Sequence, residues 1–417
     1  MEDIVEFEQV VEKGCGLDVH KDNVVATIRG NGIKTQTMEF RTYTSSLILL
    51  RDWLFKHGIT HVAMESTGVY WKPIYNILGD HFQILLVNPR HTKNVPGRKT
   101  DMNDSQWLAK LLIAGLLKCS FIPNRNIREL RDLVRYKTKL TNKVSSEKNR
   151  MIKILEDANI KLSSVLSDIF GVTGQKILRD IIAGAYQPEK LLYHVHGKVQ
   201  KSREEIKEAI TGNVSAHHRF MMQTILESIA KTEDIIQKLD AQIALHTTNY
   251  GLEIELLDKI PGVDKDGAIG IIAEIGDDMS AFPTERHLAK WAGMCPGNNE
   301  SGGKKKSGRR SYGNTYIRAL LTELGWAASR TKHTYLGNKY KSLVGRRGSK
   351  KAVIAVGHKI LIAAYFIIRD KVAFNELGED YLSKFKKDKL IAYYKQQLKY
   401  LDPDWETKNE KKEQEVA

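Results

Sequence analysis

The chain has 417 residues, an apolar fraction of 41% and a formal net charge of +15. This apolar content fills real cores and excludes global disorder, and the length suits two or three domains. An excess of positive charge this large favours a polyanionic partner, because lysines and arginines that neutralise phosphates release condensed counterions. The three cysteines, Cys15, Cys119 and Cys295, have no CxxC spacing, so neither a zinc knuckle nor a disulfide framework is expected, and a reducing cytoplasm fits. The acidic start Met1-Glu-Asp-Ile-Val-Glu-Phe-Glu lacks a signal-peptide pattern. No window of eighteen apolar residues appears, so no membrane span is expected.

Residues 1–13 read as an N-terminal extension. Residues 14–125 alternate strands and helices, an α/β domain with both sheet faces covered. Gly14–His20 and Asn23–Arg29 predict a hairpin. Thr44–His57 carries helical spacing, His61–Glu65 is a short strand, and Val69–Leu78 is a helix. Gln83–Asn88 is a buried strand, and Asp101–Leu117 is a helix. Residues 126–250 form a helical region. Within it Met222, Ile225, Ile229, Thr232, Ile236, Leu239 and Ile243 make a heptad-like seam, which points to a coiled coil or to an amphipathic helix packed on its own domain. Glycines and Pro188 interrupt the pattern over 166–200. Residues 251–375 form a third, mainly helical region. It opens with Pro261-Gly262 between two helical patterns, which is a plain turn or a helix-hairpin-helix whose turn amides approach a DNA phosphate. Residues 376–417 are a C-terminal helix and a charged tail.

Charge is concentrated in the third region. Between Cys295 and Lys359 there are 15 lysines and arginines against two acids, Glu300 and Glu323. That stretch is the main candidate polyanion surface.

Four carboxylates in the first quarter carry the clearest chemistry. Asp18 lies in the first strand and Glu65 ends a later one. Parallel neighbouring strands would bring them to one sheet edge. Asp101 and Asp104 open a helix at i and i+3, on one helical face. As separate residues, Asp101 and Asp104 are also a good helix cap and capping-box position. Carboxylates on apolar strands are harder to dismiss, since burying an unpaired charge is costly. Held together, the four acids need a cation, and Mg2+ suits hard oxygen donors.

Gly16-Leu-Asp-Val-His-Lys, Met64-Glu-Ser-Thr-Gly-Val-Tyr-Trp, and Val87-Asn-Pro-Arg through Lys99-Thr-Asp-Met-Asn-Asp-Ser-Gln-Trp-Leu-Ala resemble the first half of a family of insertion-sequence transposases. These bridge-RNA-guided recombinases carry an N-terminal RuvC-like DEDD domain and a C-terminal serine transposase domain. The resemblance covers about residues 14–160 and 252–345. It implies an RNase H/RuvC-like N-terminal domain, a helical coiled-coil middle and a mainly helical C-terminal transposase domain. It also implies that Asp18, Glu65, Asp101 and Asp104 are catalytic metal ligands.

The stretch from Ala292-Gly-Met-Cys-Pro-Gly through Ser301-Gly-Gly-Lys to Gly313-Asn-Thr-Tyr-Ile-Arg is similar to that C-terminal domain. The resemblance makes Ser301 the nucleophile. Residue chemistry alone does not choose among Ser301, Ser307 and Ser311. Gly302 and Gly303 would let backbone approach a DNA strand. Lys304, Lys305, Lys306, Arg309, Arg310 and Arg318, with Pro261 and Gly262, are the candidate nucleic-acid contacts. No GxxxxGK[ST] motif is present, which argues against a nucleotide-hydrolysing phosphate loop.

The resemblance implies DNA transposition through serine attack beside a magnesium site, on donor and target DNA. It further implies a structured noncoding guide RNA, a homodimer or homotetramer with sites composed between protomers, and a cytoplasmic, nucleoid-associated location. The competing expectation is a RuvC-like nuclease or Holliday-junction resolvase that uses the acids and water, with no covalent protein–DNA bond.

Overall fold

Period-two alternation explains the first strand. Cys15 and Leu17 enter one face while Gly14, Gly16 and Asp18 share the other. The computed structural model describes residues 10–66, 68–89, 104–195, 201–296, 299–307 and 312–403. The chain divides into two compact units, residues 1–122 and 123–417.

The first unit is a five-stranded mixed sheet of order β3-β2-β1-β4-β5. Its strands are β1 (Lys13–Val19), β2 (Asn23–Gly30), β3 (Ile33–Arg41), β4 (His61–Glu65) and β5 (Gln83–Val87). β1, β2 and β3 pair antiparallel, whereas β1, β4 and β5 pair parallel. The expected hairpin is present, and β1 begins one residue before the expected domain start. β3 has no counterpart in the sequence reading. Its Lys34 to Glu39 are all exposed, so this edge strand lacks the apolar alternation that marks a half-buried one.

One face of the sheet packs on helix α1 (Thr44–Lys56) and helix α2 (Trp71–Leu78). Leu47, Leu50 and Leu54 lie at i, i+3 and i+7, and with Ile74 and Leu78 they bury Cys15, Leu17, Val62 and Met64. Burial pushes the Cys15 thiol far above the usual cysteine range, so it is an inert core group. The other face carries helix α3 (Asp104–Ile113). Its end falls short of the expected Leu117, because Gly115 takes φ +66° just beyond it.

The second unit is mostly helical. Helix α4 (Arg125–Asp157) is capped by Asn124, whose side chain accepts from the Ile127 amide. Shorter helices follow at α5 (Val172–Ile182) and α6 (Arg203–Ile210), and then comes α7 (Ala216–His246). α4 and α7 run antiparallel: Asn126 bonds the carbonyl of His246 at one end, and His218 meets Asp157 at 2.9 Å at the other. The heptad-like seam is therefore filled within the chain. Met222, Ile225 and Ile229 share one core with Val144, Met151 and Leu155. The seam follows the second alternative, an amphipathic helix packed on its own domain, because α4 supplies the apolar face that a partner chain would have offered.

Helices α8 (Gly251–Asp258), α9 (Lys265–Ile275), α10 (Glu285–Trp291), α11 (Thr315–Arg330), α12 (Tyr335–Arg347), α13 (Ser349–Asp370) and α14 (Tyr381–Leu401) complete the unit. A two-stranded ribbon, β6 (Asn299–Ser301) and β7 (Lys304–Ser307), rises between α10 and α11. α13 is long and apolar enough to cross a membrane, with mean hydropathy 1.8 over its best window. More than half of that window is buried inside the unit, as in the core helix of a globular domain. Leu321 of α11 crosses it so closely that a Cβ on Gly357 would lie 2.5 Å from the Leu321 carbonyl oxygen.

Candidate active site

The acidic face is built by two glycines. A Cβ on Gly16 would lie 2.2 Å from the Ser105 carbonyl oxygen and 2.4 Å from the Ala109 nitrogen. One on Gly14 would meet Leu112 at 2.7 Å. α3 therefore lies directly against the β1 backbone, with its C-terminal half over Gly14 and its first turns over Gly16. Asp18 is the next residue on that face of the strand, and α3 begins at Asp104, just before the turns that cover Gly16. A buried hydroxyl pair fixes the helix start: Ser105 Oγ is 2.8 Å from Thr27 Oγ1, which in turn is 2.8 Å from Thr37 Oγ1.

Glu65 comes from the neighbouring strand. β1 and β4 pair in parallel through Leu17 and Met64, so the next positions in that register are Asp18 and Glu65. Both acids stand at the C-terminal ends of their strands and on the face that α3 covers. In open α/β sheets this end of the strands is where ligands collect. His20 Nε2 lies 3.3 Å from Asp18 Oδ2.

Three of the four predicted acids thus share one end of one sheet face, while Asp101 lies outside the described residues. Their oxygens are the hard donors that a divalent cation takes. Among the described residues, no three His, Cys, Asp or Glu side chains close on a common metal position.

The serine region is a loop pinched at its base. Gly293 and Gly313 pack backbone to backbone, since a Cβ on Gly313 would lie 2.2 Å from the Gly293 nitrogen. The Asn314 amide donates to the Trp291 carbonyl at 3.0 Å. Above this pinch, Ser301 pairs with Lys304 across the two-residue turn Gly302-Gly303, whose φ values are +58° and +73°. Left-handed backbone at both central positions defines a type I′ hairpin turn, which strongly favours glycine. The glycines thus have a local structural cause, where the sequence reading gave them an approach role. Gly302, Gly303 and Lys304 are exposed, and no atom would crowd a Cβ on either glycine. Lys305, Lys306 and Ser307 belong to β7. Arg309, Arg310 and Ser311 lie outside the described residues.

Arg318 stands in the first turns of α11, with its Nη1 3.1 Å from the position of a Gly293 Cβ. It lines an open groove of about 680 Å³ with Thr315, Thr322, Glu323, Trp326 and Arg330. The Pro261-Gly262 turn joins α8 to α9. Gly262 has φ +85°, and a Cβ there would lie 2.2 Å from the Ala328 nitrogen. Packing against α11 and a left-handed backbone together account for this glycine.

Sequence reasoning missed a buried carboxylate that bonds to the base of the serine loop. Glu274 on α9 is 3% exposed. It accepts a two-pronged bond from Arg135, Nε to Oε1 at 2.7 Å and Nη2 to Oε2 at 2.8 Å. It also accepts from Asn314 Nδ2 at 2.7 Å. Arg131 donates to the Ala273 and Glu274 carbonyls beside it. Burial pushes the Arg131 guanidinium down to about 10, partly offset by Glu274. The signal was present in Ile269-Gly-Ile-Ile-Ala-Glu-Ile275. An acid inside an apolar helical run needs a buried partner, the same argument that singled out Asp18 and Glu65.

Comparisons with known proteins match two segments of the chain. Residues 15–160 match the DEDD transposase family of the IS110 group, and residues 254–341 match the transposase family IS116/IS110/IS902. The chain is 24% identical to the pilin gene-inverting protein of Moraxella lacunata over 381 residues, which covers 87% of this chain and 97% of that protein. It is 23% identical to the pilin gene-inverting protein of Moraxella bovis over 378 residues, with the same coverage. A probable family 20 transposase of Pseudomonas aeruginosa is 27% identical over 143 residues, 33% of this chain and 42% of that protein. These matches define a transposase, an enzyme that acts on DNA. The chain belongs to the IS110 family of transposases.

Proposed function

We propose that this transposase cuts and rejoins the DNA of an insertion sequence through a covalent bond to Ser301. The observation that carries the proposal is the Ser301-Gly-Gly-Lys304 hairpin, with its turn residues exposed, held on a pinched base in the most basic stretch of the chain. Ser301 Oγ bonds to the scissile phosphorus as the phosphorus–oxygen bond to the neighbouring sugar breaks. The serine proton passes to solvent, and the departing sugar oxygen gains one. The phosphoserine linkage keeps the bond energy, and attack by a sugar hydroxyl of the partner end releases the serine. Lys304 to Lys306, Arg309, Arg310 and Arg318 stabilise phosphate charge.

Asp18, Glu65, Asp101 and Asp104 are the residues that would hold Mg2+ in a RuvC-like domain. The mixed sheet, with its acids on the helix-covered face, supports that assignment. Bound there, the metal would polarise a phosphate oxygen. In a dimer or tetramer, the acids of one protomer and Ser301 of another would compose the site. A structured noncoding RNA would supply target choice by base pairing, while the protein contacts backbone and shape.

The test is trapping on element-end DNA with that RNA and Mg2+. Wild-type protein should give a protease-sensitive DNA adduct, and Ser301→Ala should bind DNA without forming one. An adduct that survives Ser301→Ala would move the role to Ser307 or Ser311. Cleaved DNA with no adduct from the wild type would favour the hydrolytic, resolvase-like mechanism.

A further inference from the structure

Asn314 closes three structures at once. Its amide bonds Trp291 and shuts the base of the serine loop. Its Oδ1 accepts from the Tyr316 amide at 2.9 Å and caps α11. Its Nδ2 donates to Glu274 Oε2 at 2.7 Å. Glu274 in turn is gripped by Arg135 of α4, whose guanidinium lies 3.8 Å over the Tyr316 ring. A chain of half-buried polar contacts, centred on the buried Glu274, thus links the long helix α4 to the residue where the serine loop ends.

Stability alone gives little reason for such a group. Replacing a buried ion pair with well-packed apolar residues is often neutral or stabilising, whereas a fully bonded one fixes geometry. This carboxylate sits where geometry matters for the hairpin. Three residues of the loop's base, Gly293, Gly313 and Asn314, allow little play, and every bond Asn314 makes is directional.

We propose that Glu274 is a positioning residue for the serine hairpin, acting through Asn314 to fix where the loop leaves the helical unit. The inference rests on Ser301 being the nucleophile. Glu274 and Asn314 need touch no DNA. Their loss leaves the serine present and misplaced.

Three variants in the full-length protein test this. Asn314→Ser keeps a helix cap and is too short to reach Glu274. Asn314→Asp keeps the cap, loses the donor and faces a second carboxylate. Asn314→Asp combined with Glu274→Gln restores one donor and one acceptor with reversed polarity. Each is measured for melting temperature, DNA affinity, amide exchange over 293–314, and single-turnover adduct formation at saturating DNA.

The expected result is faster exchange of the loop amides and an adduct rate about 10²-fold lower in both single variants, the loss that a misplacement of about 1 Å brings. DNA affinity should be unchanged, and the double variant should recover much of the rate. Adduct rates within twofold of wild type in the single variants would overturn the proposal, as would a double variant no better than Asn314→Asp alone. A loss of rate that merely tracks melting temperature, with loop exchange unaltered, would also overturn it. If wild-type protein forms no adduct, or Ser301→Ala still does, the nucleophile assignment fails. The exchange arm then still decides whether Glu274 tethers the loop.

Discussion

Gly16→Ala should separate the acidic face from its helix. The new Cβ would meet backbone atoms of α3 at 2.2 and 2.4 Å, and no side-chain rotation relieves that. To reach an ordinary contact of about 3.5 Å the helix must lift by about 1 Å. Overpacking of this kind costs about 1–3 kcal/mol. Stretching the buried Ser105–Thr27 bond adds about 1 kcal/mol. The same lift carries Asp104 away from Asp18 and Glu65, and a misplacement of about 1 Å in a catalytic group costs up to about 10²-fold in rate. Gly14→Ala is the control, because its nearest neighbour is the movable end of Leu112 at 2.7 Å. Urea unfolding and Mg2+-dependent cleavage of element-end DNA, measured on both variants, make the comparison. Equal losses in the two, or a Gly16→Ala protein with wild-type stability and cleavage, would refute the idea that helix contact sets the acidic site.

Asp18→Asn and Glu65→Gln should each lower strand cleavage by about 10²–10³-fold, the scale of losing one electrostatic stabiliser, while gel-shift affinity for DNA stays within a few-fold. Gly303→Ala should cost about 1–2 kcal/mol in hairpin population through its left-handed backbone, whereas Gly303→Asn should cost less, as amide exchange at Lys304 and Lys305 can report. Met151→Ala and Met222→Ala, both fully buried between α4 and α7, should each cost about 2–5 kcal/mol in urea unfolding. The exposed Leu245→Ala should stay within about 0.5 kcal/mol in the same assay. Burial, with Lys359 beside it, holds His358 below the usual histidine value of 6.5, so the unfolded chain takes up that proton first. Its contribution is complete above that value and is lost as pH falls toward the folded pKa, so His358→Gln should flatten the acid side of the stability–pH curve.

Much of the first unit was legible because its signals are local. The apolar run of β1, the i, i+3, i+7 leucines of α1 and the short β4 and β5 strands each declare themselves within a few residues. β3 was not, because an exposed edge strand needs no apolar alternation and its pairing partner supplies the order. The heptad-like seam of α7 was legible as an apolar face, but not as to what covers it. Only α4, about 80 residues earlier in the chain, decides that.

The candidate site divides in the same way. Sequence by itself determined the residue types: carboxylates on apolar strands, a serine beside two glycines, and a concentrated run of lysine and arginine. Burial cost marks the strand acids and charge marks the basic run, whereas the serine stands out only through the family resemblance. Tertiary structure decided which of them are neighbours. The parallel register of β1 and β4 sets Asp18 beside Glu65, and the bare backbone of Gly14 and Gly16 brings α3 and Asp104 to the same face. At the base of the serine loop, Glu274, Arg135 and Asn314 meet from three segments distant in the chain. Such contacts between distant segments leave no periodic trace in the chain, because a hydrogen bond constrains only the two residues that make it.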